Sequence, residues 1–215
     1  SNGKVTQTDV TDPRSLVTRM IFNTDGRLLS RIEATGTAKA RTTSYEYHPV
    51  TKLLSAEVDP LGRRTETTYD TYGNVTQIKS LAGTASEFTR SFTWRTWSDH
   101  QLETATDPRG KITTFSYDMR GRMIQVADPL ANLTKFSYNS QGLVTQVTDP
   151  RNQITQFGYS LTDLSSITDP LGRVTRFFTD PLGRVVQSTD PLGNKSTAVY
   201  DKLHRVTGST DATGN

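Results

Sequence analysis

Cysteine is absent from the 215 residues. No disulfide framework can form, and no thiolate is available as a metal ligand or nucleophile. Aromatic residues make up only 8% and hydrophobic residues 33%, with a mean hydropathy of −0.57. That is thin for a sandwich around one compact core and suits an elongated or hollow sheet stabilised by repetition. No apolar run approaches the roughly 18 residues of a membrane-crossing helix, and no secretory leader is visible. There is no Gly-rich phosphate loop and no Gly-x-Ser-x-Gly elbow. His48, His100 and His204 lie far apart, each in or near a turn, without partners at ligand spacing. Asp is abundant, yet each turn carries mostly one, whereas a calcium loop gathers several oxygens. The expectation is a chain without a catalytic centre, metal or cofactor.

What is present is a repeat. Residues 107–193 open five times with nearly the same words: Asp107-Pro-Arg-Gly, Asp128-Pro-Leu-Ala, Asp149-Pro-Arg-Asn, Asp169-Pro-Leu-Gly and Asp190-Pro-Leu-Gly. The steps are 21, 21, 20 and 21 residues. A fixed period of this size makes each copy one supersecondary unit stacked on its neighbours. Asp at the first corner, Pro at the second and Gly at the fourth is type I turn chemistry. Residues 111–117, Lys-Ile-Thr-Thr-Phe-Ser-Tyr, then read as a strand. Asp118-Met-Arg-Gly121 is a second turn, and residues 122–127 a second strand. The unit is therefore a hairpin: strand, turn, strand, turn. In the 169 copy the second turn is Asp180-Pro-Leu-Gly183, the wording of a first turn. Asp is thus a turn former at both places. Pro and Gly recur too often for helices.

Alternation places Thr113, Phe115 and Tyr117 on one face. The same columns return as Thr134, Phe136, Tyr138 and as Thr155, Phe157, Tyr159. Stacked hairpins would align these into ladders, each cross-strand pair worth about 0.2–1 kcal/mol. The opposite columns hold Ile112, Leu133, Ile154 and Val174, so both faces are expected to be partly covered.

The net charge is +3 and the pI about 9.2. The cations Arg27, Lys52, Arg63, Lys111, Arg122, Arg173, Arg184 and Arg205 are spread over turn exits. That placement reads as solvated edge protection rather than a phosphate track, so no nucleic-acid partner is expected.

Along the chain, residues 1–3 read as a cloning scar, and residues 4–215 as a single repeat array. Copies over 4–106 are irregular, with longer loops at 34–40 and 81–86; copies over 107–215 are regular. Phe22 and Trp94 stand in the Tyr column, and residues 211–215 resemble the opening of another copy. The array is read as cut at both ends, and its unpaired edges as open to self-association.

Tyr-Asp-x-x-Gly-Arg followed by Thr-Asp-Pro-Leu-Gly-Arg at about 21 residues resembles the rearrangement-hot-spot (RHS) repeats, also called tyrosine–aspartate (YD) repeats. The residues that carry the resemblance are Tyr69, Asp70 and Gly73; Tyr117, Asp118, Gly121 and Arg122; Tyr138 and Gly142; Asp180, Gly183 and Arg184; and Tyr200, Asp201 and Arg205. Ser160 and Asp163 break the pattern in the 149 copy. The resemblance implies an all-β chain of tandem antiparallel hairpins in a continuous, curved or spiralling sheet. It implies a structural, non-enzymatic segment of a secreted or cell-surface bacterial protein, part of a hollow shell around a C-terminal toxin domain. Related shells belong to insecticidal toxin complexes and teneurins. The family's self-cleaving aspartate segment is assigned to no residue, since Asp-Pro recurs in nearly every copy. The alternative is a glycan-binding adhesion module, with Trp94 and Trp97 as stacking platforms. The partners expected are neighbouring repeats, an enclosed toxin domain and, on the alternative, surface glycan.

Overall fold

A computed structural model describes residues 6–95, 100–211 and 213 of the chain. Among them there is no helix, and nineteen strands follow one another in sequence. The chain divides into two compact units, Ser1–Ile112 and Thr113–Asn215. The first holds β1 (Gln7–Thr11), β2 (Val17–Phe22), β3 (Leu28–Glu33), β4 (Arg41–Tyr47), β5 (Leu54–Val58), β6 (Arg64–Tyr69), β7 (Val75–Ser80), β8 (Phe88–Trp94) and β9 (Leu102–Thr106). The second runs through β10 (Ile112–Tyr117), β11 (Met123–Ala127), β12 (Leu133–Tyr138), β13 (Val144–Thr148), β14 (Ile154–Ser160), β15 (Asp163–Thr168), β16 (Val174–Thr179), β17 (Val185–Thr189), β18 (Lys195–Tyr200) and β19 (Val206–Thr210). Within each unit every strand pairs antiparallel with the next. The all-β hairpin array expected from the repeat is what forms.

The turns are built as the wording requires. At Asp169 the corner carbonyl accepts from Gly172 N–H at 2.9 Å, and Asp169 N–H donates to Arg173 O at 3.0 Å. Carboxylate Oδ1 accepts from Leu171 and Arg173 N–H, both at 2.9 Å. This is a type I turn whose fourth residue takes a left-handed conformation, with Gly172 at φ 79°. A side chain disfavours that conformation, which explains Gly at the fourth corner. Eight of the nine prolines follow a corner Asp. The ninth follows His48, whose Nδ1 accepts from Val50 and Thr51 N–H at 3.3 and 3.1 Å in the carboxylate's place.

The two turns of a repeat share a backbone but not a setting. Each hairpin closed by a second turn carries a one-residue register shift just before the Tyr column, as at Ser116/Tyr117, Ser137/Tyr138 and Val199/Tyr200. Ladders across the first turns run without a shift. The shift persists at Phe178/Thr179, where the second turn has the first turn's sequence and Tyr is missing. Such bulges bend the strand and increase its local twist.

The long loops at 34–40 and 81–87 are not irregular. In both, a left-handed residue (Ala34, Leu81) precedes a left-handed Gly (Gly36, Gly83). In both, a Thr hydroxyl donates back to the first residue's carbonyl, at 2.8 Å from Thr37 and 2.7 Å from Thr84. They are a second turn type, itself used twice.

There is almost no core. Among the described residues only Ala56, Ala82 and Thr43 are buried, and no large side chain is fully buried. Most strand residues are half-buried on a single layer. Cohesion therefore lies in ladder hydrogen bonds and cross-strand pairs between nearest neighbours.

The inter-repeat seam as the candidate functional site

With almost no buried core among the described residues, the contacts that join one hairpin to the next are what hold the array together. The Tyr column makes them. Tyr138 on β12 donates its hydroxyl to the carbonyl of Met123, the first residue of β11, at 2.6 Å. Met123 is the residue paired with Tyr117 across the bulge. The relation repeats: Tyr69 to Leu54 at 2.8 Å, Tyr159 to Val144 at 2.8 Å and Tyr200 to Val185 at 3.0 Å. Each acceptor is itself the bulge partner of the preceding column residue, so the bonds form a relay from hairpin to hairpin. Each bond gives a backbone carbonyl beside a bulge a side-chain donor. Burial pushes the Tyr69 phenol above its ordinary range.

Trp94 occupies the same column and donates its indole N–H to Val75 O at 2.7 Å. Tyr47 reaches Leu28 O at 2.9 Å. In these two copies donor and acceptor lie 19 residues apart instead of 15, because the long loop intervenes. The insertion is absorbed without disturbing the seam. Trp97, the other proposed stacking residue, lies outside the described residues.

A second contact uses the turn. Asp118 Oδ1 accepts from Arg120 and Arg122 N–H at 2.9 and 3.0 Å, and Oδ2 accepts from Arg122 Nε at 2.7 Å. The Arg122 guanidinium continues into the next copy. It lies 4.7 Å over the Tyr138 ring and donates to Asn139 O at 3.1 Å. Asp180, Arg184, Tyr200 and Asp201 repeat the arrangement, with the guanidinium 4.8 Å over the ring and 3.2 Å from Asp201 O. A cation over an aromatic face contributes about 0.5–1 kcal/mol at a partly exposed site.

This corrects the reading of the turn cations as solvated edge protection. That holds for Arg63 and Arg173 at first turns, 61% and 62% exposed. Arg122 and Arg184 at second turns are 26% and 23% exposed and act as staples. Arg205 shares the turn geometry, bonding Asp201 at 2.8 Å, but is 73% exposed.

The other signature residues fall into the same frame. Asp70 accepts from Tyr72 and Asn74 N–H at 2.9 Å, and Gly73, Gly121, Gly142 and Gly183 are left-handed. Asn139 replaces Asp and accepts from Gln141 and Leu143 N–H. Where the pattern breaks, the break is matched: Asp163 stands in the Arg position, Thr179 in the Tyr position, and the Thr179 hydroxyl donates to Asp163 Oδ2 at 3.2 Å. The 16-residue step from Arg122 to Tyr138 and from Arg184 to Tyr200, which lengthens to 20 from Arg27 to Tyr47 across the long loop, was a signal available in the sequence.

Electrostatically the turns resemble one another. The carboxyls of Asp107, Asp118, Asp169 and Asp201 are held below their ordinary range, first by the backbone N–H four residues on. For Asp59 and Asp180 the leading cause is the Arg side chain, and for Asp128 and Asp190 the Asn side chain. These carboxylates are anchored acceptors committed to backbone amides. Among the described residues no group of three metal-ligating side chains occurs.

Tandem antiparallel hairpins joined by a Tyr relay and turn staples define a hairpin-repeat protein. The RHS Repeat family model matches residues 97–133, 138–174 and 180–215, together just over half of the chain. The chain belongs to the RHS repeat family. No curated protein matches it. Among solved structures it is similar to the crystal structure of TcdB2-TccC3-TEV, 16% identical with a TM-score of 0.72, over 94% of this chain and 13% of that one. The crystal structure of TcdB2-TccC3-Cdc42 is 11% identical with a TM-score of 0.43, covering 91% of this chain and 17% of that one. A Photorhabdus luminescens Tc holotoxin pore structure is 12% identical, also with a TM-score of 0.43, over 93% and 17%. The chain thus spans about 13% of the length of the first structure it matches, and that likeness is one of fold.

Proposed function

We propose that this chain is a wall segment of a bacterial RHS-type shell, exported or displayed at the cell surface, that encloses a C-terminal toxin domain. The observation that carries the reading is the seam: a relay of side-chain-to-carbonyl bonds that joins successive hairpins and survives both loop insertion and residue replacement. Its working residues are the signature set Tyr69, Asp70, Tyr117, Asp118, Arg122, Tyr138, Asp180, Arg184, Tyr200 and Asp201, with Gly at the turn corners. A wall needs continuity along the array and no reactive group, and family membership and the TcdB2-TccC3-TEV fold support it. The glycan alternative rests on Trp94 and Trp97; the polar edge of Trp94 is committed to Val75, and nothing in the geometry favours that alternative.

The test is limited proteolysis of a natural chain carrying this array and a C-terminal effector segment. Enclosure predicts that the effector resists protease until the array is disrupted. Equal cleavage of the effector with and without the array would sink the proposal.

A further inference from the structure

The strands of the second unit differ in charge from those of the first. No glutamate occurs after Glu103. Within β10–β19 the one acid is Asp163, at the first position of β15, where it is engaged by Thr179. The remaining acids of this unit sit in turns. Three strand residues carry positive charge: Lys135, Arg176 and Lys195, all exposed.

The register places the three on one face. Lys135 pairs with Thr148, and Thr148 with Ile154. Two residues beyond Ile154, Gln156 pairs with Thr168. Two before Thr168, Ser166 pairs with Arg176. Arg176 and Lys195 flank Thr189 from its two sides. Residues directly opposite in a ladder share a face, as do residues two apart on a strand. Arg176 and Lys195 are therefore about 10 Å apart, two strand spacings, and Lys135 lies about 23 Å from Arg176, four strand spacings across and four residues along. By the same alternation Phe178 and Val199, 49% and 60% exposed, project from this face. Ser166, Arg176 and Phe178 line a groove of about 460 Å³ together with Asp163.

In the first unit, by contrast, four of the six strand cations are answered within the molecule, Arg19 by Asp9, Arg31 by Glu33, Arg64 by Glu46 and Glu66, and Lys79 by Glu87, and only Arg41 and Arg90 have no carboxylate partner among the described residues. Among the described residues no carboxylate engages Lys135, Arg176 or Lys195.

We propose that this face of the second unit is a docking surface for an acidic, extended polypeptide segment. Charge complementarity selects the partner, because the face offers three cations that no carboxylate among the described residues engages. Exposed Phe178 and Val199 beside the cations suit a strand that alternates carboxylate and apolar side chains. Cations about 10 to 23 Å apart are too sparse to follow a phosphate backbone, which carries a charge about every 1.7 Å of duplex. The surface goes beyond the enclosure proposed above and stands whichever partner the wall faces.

The experiment is fluorescence anisotropy of the 215-residue chain with a 20-residue peptide of alternating Glu and Val, at low and physiological salt. A triple variant, Lys135→Glu with Arg176→Glu and Lys195→Glu, should weaken binding by about tenfold or more. A control triple of equal net charge, Arg109→Glu with Arg151→Glu and Lys202→Glu, alters exposed turn cations and should change binding less than about twofold. Should the first triple fail to fold by circular dichroism, Lys→Gln and Arg→Gln changes at the same positions give the same comparison. No binding by the parent chain, equal loss in both triples, or tighter binding of a 20-nucleotide single-stranded DNA would each overturn the proposal.

Discussion

The two units use one frame with two kinds of surface. In Ser1–Ile112 strand faces carry both signs of charge, and Arg64 bridges Glu46 and Glu66 at 2.6 and 2.8 Å. In Thr113–Asn215 the faces carry Thr, Ser, Gln and three cations, and the ion pairs are confined to turns, as at Asp118–Arg122 and Asp180–Arg184. The first unit also tolerates two long loops that the second lacks. Yet the Tyr-column bond, the bulge and the left-handed turn corner recur in both. The frame therefore resides in turns and seam, and the faces are free to diverge. This is expected where each repeat meets only its neighbours and no common core couples distant positions.

Acid should have the largest effect, because it acts on many turns at once. The turn carboxyls have folded-state values below their ordinary value of about 3.9, so their stabilisation is fully present above that value and is lost as pH falls through the folded values. Glu46, held low by Arg64, adds a face carboxylate in the first unit alone. Hydrogen exchange followed from about pH 5 to about pH 2 should show turn amides such as Arg122 and Arg173 losing protection in acid. Face amides beside Glu46 should loosen in acid, whereas the second unit's strand faces, which hold a single acid, should respond less. Turn protection that is constant across this range would contradict the account.

Gly172→Val comes next. The site is open, so the cost isolates the left-handed backbone, at about 2 kcal/mol for a β-branched residue. Chemical denaturation should report it; a neutral result would mean the turn is not held in that conformation. Tyr138→Phe keeps the ring and removes the bond to Met123, for a loss of about 1 kcal/mol, and Tyr69→Phe should match it in the other unit. Unequal losses would show that the seam is not the shared element. Arg64→Ala should be the smallest, at most about 0.5 kcal/mol and fading with added salt, since exposed pairs are screened. A salt-independent loss above about 1 kcal/mol would move the first unit's stability from its frame to its faces.

Much of this architecture is readable from local words. Asp-Pro-Leu-Gly spells a turn through its own backbone chemistry, and Thr-x-Phe-x-Tyr spells a strand with two faces. The substitution of Asp180-Pro-Leu-Gly183 for a Tyr-Asp-type turn already showed that both corners need the same backbone, and the bonds at Asp180 agree. The staples were less visible. Arg173 and Arg184 both follow Thr-Asp-Pro-Leu-Gly, and nothing in those five residues says that one will face solvent and the other cover the Tyr200 ring. The equivalence of the loops at 34–40 and 81–87 was hidden because only two copies exist, and Thr37 and Thr84 declare their role through a hydroxyl bond rather than a residue pattern.

Local sequence, then, decided where the chain turns, how long each strand runs and which side chains share a column, because these follow from φ preference, alternation and period. Tertiary structure alone decided the bulge before each Tyr column, which persists at Thr179 without the Tyr, and the partners of Arg122, Asp163 and Trp94. Those contacts join residues 16 to 19 positions apart on different strands, and only the ladder register brings them within bonding distance.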